Sequence, residues 1–167
     1  TQCIRLNPTT PAPFQNRGLS RSRMGDDYGA IEDFDRAIKI ESGSYFLYIN
    51  KAYSQLQLEL YEDAIKSCSQ GISLNPYLES GYMMRGLGYT QNQEFDKAIE
   101  DFTKVIEIKP NEAEAYMRRA IAKNEQLDVK GALEDCDKGI ALDSMASMGY
   151  FVRANLHVDR LNYEAAI

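Results

Sequence analysis

Apolar positions along the chain recur in a fixed 34-residue register. Aromatic residues stand at Phe14, Tyr48, Tyr82, Tyr116 and Tyr150, and four places on from each comes a small one: Gly18, Ala52, Gly86, Ala120 and Ala154. Twelve residues beyond these lie Ala30, Ala64, Ala98, Ala132 and Ala166, followed by Phe34, Cys68, Phe102 and Cys136. Ala37, Gly71, Val105 and Gly139 continue the series, and Ile40, Leu74, Ile108 and Leu142 close it. Spacings of three, four and seven place these side chains on one stripe of a helix, whereas a strand demands alternation. The run Ile99-Glu100-Asp101-Phe102, with its two polar residues side by side, breaks any period of two.

Each repeat therefore predicts two amphipathic helices of roughly 14 residues, about 21 Å long at the usual rise. The small residue after each aromatic lets a second helix backbone approach closely. The turn within a repeat falls at Gly25-Asp26-Asp27, Leu58-Glu59-Leu60, Asn92-Gln93-Glu94 and Gln126-Leu127-Asp128, and only the first has strong turn chemistry. Repeats end at Asn7-Pro8, Asn75-Pro76 and Lys109-Pro110, where proline stops the helix. Ser42 and Ser144 take the proline's place elsewhere, and a serine can cap the following helix. Complete repeats span 11–44, 45–78, 79–112 and 113–146. Residues 1–10 read as the tail of a preceding repeat and 147–167 as part of another, so 1–167 reads as a single array.

A period of this length, with Tyr82, Gly86, Tyr89, Ala98, Phe102 and Pro110 in its best copy, resembles the tetratricopeptide repeat family. The resemblance covers the whole chain. It implies an all-α, right-handed α-solenoid of stacked antiparallel helix pairs, of a kind that binds other proteins. Tryptophan is absent, and Cys68 and Cys136 stand where the family has an aromatic.

Composition narrows the function classes. A hydrophobic fraction of 44% is that of a folded domain. The net charge of −6 argues against nucleic acid or an anionic membrane as partner. No apolar run reaches the roughly 18–20 residues of a membrane span. Cys68 and Cys136, on equivalent positions two repeats apart, read as small core residues and not as a disulfide. The chain starts on Thr and starts and stops inside a repeat, which reads as a segment of a longer array. An unfinished last repeat would leave Tyr150, Phe151, Val152, Leu156, Val158 and Leu161 partly uncovered, and predicts self-association through that end.

A base precedes each small residue: Arg17, Lys51, Arg85, Arg119 and Arg153. This column is either a surface for a carboxylate-rich partner or one half of an internal pairing. Asp33, Asp101 and Asp135 follow Arg17, Arg85 and Arg119 by sixteen residues, while Lys51 has Ser67 there. Acid and arginine depart together, which favours internal pairing through bidentate contacts.

The resemblance places the first helix of each repeat on the concave face. The inward positions are then Gln15, Asn16 and Leu19; Phe46, Ile49, Asn50 and Tyr53; Met83, Met84 and Leu87; Met117, Arg118 and Ile121; and Met148, Phe151, Val152 and Asn155. Of these, Leu19, Tyr53, Leu87 and Ile121 read as packing. Asn16, Phe46, Ile49, Asn50, Met83, Met84, Met117 and Arg118 form the candidate partner-binding set, apolar and rich in adaptable methionine. The three methionines either face a ligand or pack between first helices. Asn16 and Asn50, a repeat apart, could hold the main chain of an extended peptide. Co-chaperone members clamp chaperone C-termini with Lys, Asn, Asn, Lys and Arg. Here only Arg118 fits the best window, with Ile49, Tyr53, Met84 and Glu114 in the other places, so that clamp is not expected.

Nothing in the sequence points to catalysis. His157 is the sole histidine, on the helix stripe that Tyr89 occupies two repeats earlier. There is no glycine-rich phosphate loop and no metal-ligand spacing. The chain thus reads as a non-enzymatic protein-interaction scaffold that needs no cofactor or metal. It would bind a peptide or helix of a partner protein in an apolar, Met-rich groove. The alternative is a structural spacer or self-assembly module of a longer multidomain protein.

Overall fold

The computed structural model describes residues 9–144, 149–156 and 158. Met148, His157, Leu161 and the Asn7-Pro8 terminator lie outside the described residues. The chain packs as two compact units, Thr1–Gly88 and Tyr89–Ile167. Eight helices have defined bounds among the described residues: α1 (Pro11–Arg23), α2 (Asp27–Ile40), α3 (Tyr45–Gln57), α4 (Tyr61–Leu74), α5 (Glu79–Gln91), α6 (Phe95–Ile108), α7 (Ala113–Glu125) and α8 (Val129–Leu142). Residues 149–156 are helical as well.

Odd-numbered helices are the first of each pair, and one turn geometry ends α1, α3, α5 and α7. Gly25, Glu59, Gln93 and Leu127, each 34 residues on, sit in the left-handed region with φ of 80, 59, 60 and 64°. At each turn one amide reaches back three residues and the next reaches back five, as in Gly25 N to Ser22 O and Asp26 N to Arg21 O. The same pair recurs at Leu127 N to Asn124 O and Asp128 N to Lys123 O. This is the Schellman arrangement, which satisfies carbonyls a helix end leaves open. Glycine suits the position, yet three of the four residues there are not glycine.

The second helices end on Glu41, Asn75, Lys109 and Asp143, of which Glu41, Asn75 and Asp143 are extended. Proline follows Asn75 and Lys109 and disfavours helical geometry at both. Ser42, however, does not cap α3, whose N-cap is Ser44, and that side chain makes no capping bond.

In the first unit, α1 pairs with α2 and α3 with α4, and α2 packs on α3. Phe14, Ala30, Phe34, Ala37 and Leu47 form one core cluster. Gly18 allows the close approach there, since a Cβ on it would stand 2.9 Å from the Phe34 ring. Ile49, Ala52, Cys68 and Leu78 form the next cluster, with Tyr45 and Met84 against it. In the second unit α7 packs between α6 and α8, and Ala120, Ala132, Cys136, Val152 and Leu156 make the core. Cys68 and Cys136 are wholly buried thiols outside any disulfide, the small core residues that the register anticipates. Burial pushes the Cys136 thiol up from its usual pKa.

Candidate functional site: the first-helix faces

The bases of the first helices are turned towards the second helices. Arg17 donates through Nε to Asp33 Oδ2 at 2.6 Å, and its Nη2 holds the other carboxylate oxygen. Arg21 adds a contact of 3.0 Å to the same carboxylate, which is fully buried. That hydrogen bond to Asp33 holds the Arg17 pKa above its usual value, against the opposing effect of desolvation. Arg119 grips Asp135 in the same bidentate way at 2.8 and 2.6 Å, with Lys123 at 2.7 Å. Internal pairing of these two arginines follows the sequence register.

A second register was not evident from the sequence. Lys51 donates at 2.7 Å to Asp35, sixteen residues before it in the preceding repeat. Arg85 reaches Ser69 at 3.0 Å, Arg119 reaches Thr103 at 2.9 Å and Arg153 reaches Asp137 at 3.3 Å, all by the same backward step. The column thus stitches each repeat to the one before. Arg17, Arg85, Arg119 and Arg153 also lie over the aromatic ring three residues earlier, at 5.4–6.0 Å.

With the bases drawn inward, α3 presents Phe46, Asn50 and Tyr53 along one stripe, by their spacing of four and three. Phe46 is 55% exposed and Tyr53 46%, with Asn50 half-buried between them. Tyr53, which the sequence assigns to packing, is therefore on the surface. Asn16 is exposed at the equivalent place on α1. Met83 and Met84 are half-buried on α5.

Two of the anticipated partner-binding residues belong to the core. Ile49 is 6% exposed and Met117 only 2%. A Cβ added at Gly71 or Gly81 would meet Ile49 Cδ1 at 2.9 or 3.3 Å. One added at Gly139 or Gly149 would meet Met117 at 3.0 or 2.9 Å. Both side chains fill the space over a pair of glycines 22 and 32 residues further on, a sequence signal that the register alone does not weigh. Val152 and Leu156 are likewise buried, while Tyr150, Phe151 and Val158 are exposed.

In the second unit Arg118 is bound to Glu114 at 3.0 Å along α7. An open cleft of about 580 Å³ is lined by Ile121, Asn124, Phe151, Asn155 and Val158 among others. Among the described residues no three His, Cys, Asp or Glu side chains gather to hold a metal ion, and no helix is long and apolar enough to cross a membrane.

Paired antiparallel helices repeated every 34 residues, with bases stitching repeat to repeat, define an α-helical repeat protein. Residues 47–77 and 80–112 each match the tetratricopeptide repeat, so the chain carries repeats of that family over those segments. It is 31% identical over 77 residues to Protein STIP1 homolog of Dictyostelium discoideum, covering 46% of this chain and 14% of that protein. It is 31% identical over 97 residues to Small glutamine-rich tetratricopeptide repeat-containing protein 2 of Mycosarcoma maydis, covering 55% of this chain and 26% of that protein. The matches thus span about a seventh and about a quarter of those curated relatives. Among solved structures, MamA from Desulfovibrio magneticus RS-1 is similar with a TM-score of 0.81 and 22% identity, over 86% of this chain and 81% of that one. The first TPR of Spaghetti (RPAP3) bound to the HSP90 peptide SRMEEVD is similar with a TM-score of 0.69 and 20% identity, over 71% and 94% of the two chains. The fold is accordingly an all-α solenoid of the tetratricopeptide class.

Proposed function

We propose that this chain is a non-catalytic protein-interaction scaffold that holds a peptide or helix of a partner protein on the first-helix face of its repeats. The observation that carries the reading is the stripe Phe46-Asn50-Tyr53. Two large aromatics stand in solvent on either side of an amide, on a helix whose opposite side is core. Exposed aromatic clusters with a polar handle are the usual anchors of a protein interface. Asn16 at the matching place on α1 extends the stripe, and Met83 and Met84 add adaptable apolar surface on α5. Arg118 is the corresponding contact in the second unit. A protein of this fold carrying the bound peptide SRMEEVD supports peptide binding as the mode.

Selection from a displayed peptide library tests this, run on the native chain and on a Phe46→Glu/Tyr53→Glu variant matched to it by circular dichroism. Both side chains are exposed, so the variant should fold. The scaffold reading requires peptides that enrich on the native chain and bind the variant at least about tenfold more weakly, the loss of roughly 1.4 kcal/mol typical of one anchor. No enrichment, or equal binding to both, would reject it and favour a spacer or self-assembly module.

A further inference from the structure

Within the first unit, α1, α3 and α5 carry five bases, Arg17, Arg21, Arg23, Lys51 and Arg85, against the single acid Glu79. Taken alone, that imbalance would offer an anion site in a chain whose net charge is −6, although the Arg-to-Asp spacing favours internal pairing. Contacts with α2 and α4 engage four of the five bases. Asp33 takes Arg17 and Arg21, Asp35 takes Lys51, and the Ser69 hydroxyl accepts from Arg85. Arg23, in the last turn of α1, stays exposed at the edge of the face. What remains at the middle is Asn16, Phe46, Asn50 and Tyr53, none of them charged.

Because four of the five bases are engaged by α2 and α4, we infer the class of occupant: an extended, uncharged segment with apolar side chains, and not an acidic tail. The inference rests on the first-helix face being the binding site. A carboxylate set down between Phe46 and Tyr53 would lose water and meet no cation, a penalty that burial of apolar surface cannot offset. An apolar side chain gains from the same two rings, while the amides of Asn16 and Asn50 supply both donor and acceptor to a main chain. Arg17, Arg21 and Lys51 are a latent anion site, held shut by Asp33 and Asp35 of α2. Lys51 is the one most readily released, because its partner Asp35 is itself 44% exposed and contributes little to folding.

Sequencing the peptides that enrich on the native chain, on Asp35→Asn and on the control Lys51→Gln/Asp35→Asn tests the inference. The native chain should enrich uncharged apolar peptides whose binding is insensitive to salt. Asp35→Asn should raise the recovery of acidic peptides about tenfold, the effect of one charge-assisted contact, and the control should not. Acidic peptides that dominate on the native chain, yet are lost from Phe46→Glu/Tyr53→Glu, would overturn the inference and leave the scaffold reading standing. An absence of any enrichment would reject both. Unchanged recovery on Asp35→Asn would overturn the latent anion site.

Discussion

Leu127 occupies a left-handed backbone position with its side chain 75% exposed, a place where a branched residue gains nothing from packing and pays in strain. Leu127→Gly should raise stability by about 0.5–1 kcal/mol, after the entropy that glycine costs, and a urea midpoint measures it. A drop would mean that the turn is held by the leucine side chain. The acids divide by burial. Asp33→Ala removes a fully buried carboxylate from two half-buried guanidinium groups and should cost about 3 kcal/mol. Asp35→Ala removes a half-exposed partner and should cost less than about 1 kcal/mol. Equal costs in chemical denaturation would contradict that division. The sequence marked the Arg17–Asp33 and Arg119–Asp135 pairs by their common spacing. It concealed the backward contacts, because Asp35, Ser69, Thr103 and Asp137 are four residues of three types that share only a position. Ile49 and Met117 lie in the core and not on the face, because a register of apolar residues does not say which will find a glycine opposite.

At the level of helices, stops and starts explain what was legible and what was not. Proline and the Ala-to-Phe spacing locate the second helices closely. The first-helix stops depend on left-handed residues that the side chains at 59, 93 and 127 do not announce. Starts are equally uneven. Asp26 and Asp128 cap α2 and α8 by accepting from Gly29 N and Gly131 N, whereas Leu60 and Glu94 at the same place make no capping bond. The glycines belong to the cap, since a Cβ at Gly29 or Gly131 would fall 2.3 or 2.2 Å from the capping carboxylate. At the uncapped starts those places are Asp63 and Lys97. Leu60→Asp alone should therefore bring little, as its carboxylate would meet the Asp63 side chain. Leu60→Asp/Asp63→Gly should stabilise by about 1 kcal/mol, the usual worth of a cap. A thermodynamic cycle over the two positions should show favourable coupling; simple additivity would deny that cap and glycine act together.

For the molecule as a whole, architecture was written in the register from Phe14 to Tyr150, because each repeat must bury the same stripe against its neighbour. The state of the bases on the first-helix face was legible only in part. Asn16 and Phe46 are exposed and Asn50 is half-buried; the sixteen-residue spacing marks the Arg17–Asp33 contact, whereas the Lys51–Asp35 contact follows no pattern that the sequence displays. The reading turns on whether a partner lies along α1 and α3. Titration of the labelled chain with a selected peptide, followed by NMR, measures this at the side-chain amides of Asn16 and Asn50 and the ring of Tyr53. The scaffold account predicts that these signals move together and saturate with one affinity, while exposed groups of α2 and α4 such as Tyr28 and Lys66 stay still. Shifts confined to the second helices, or none at Asn50 and Tyr53, would contradict it.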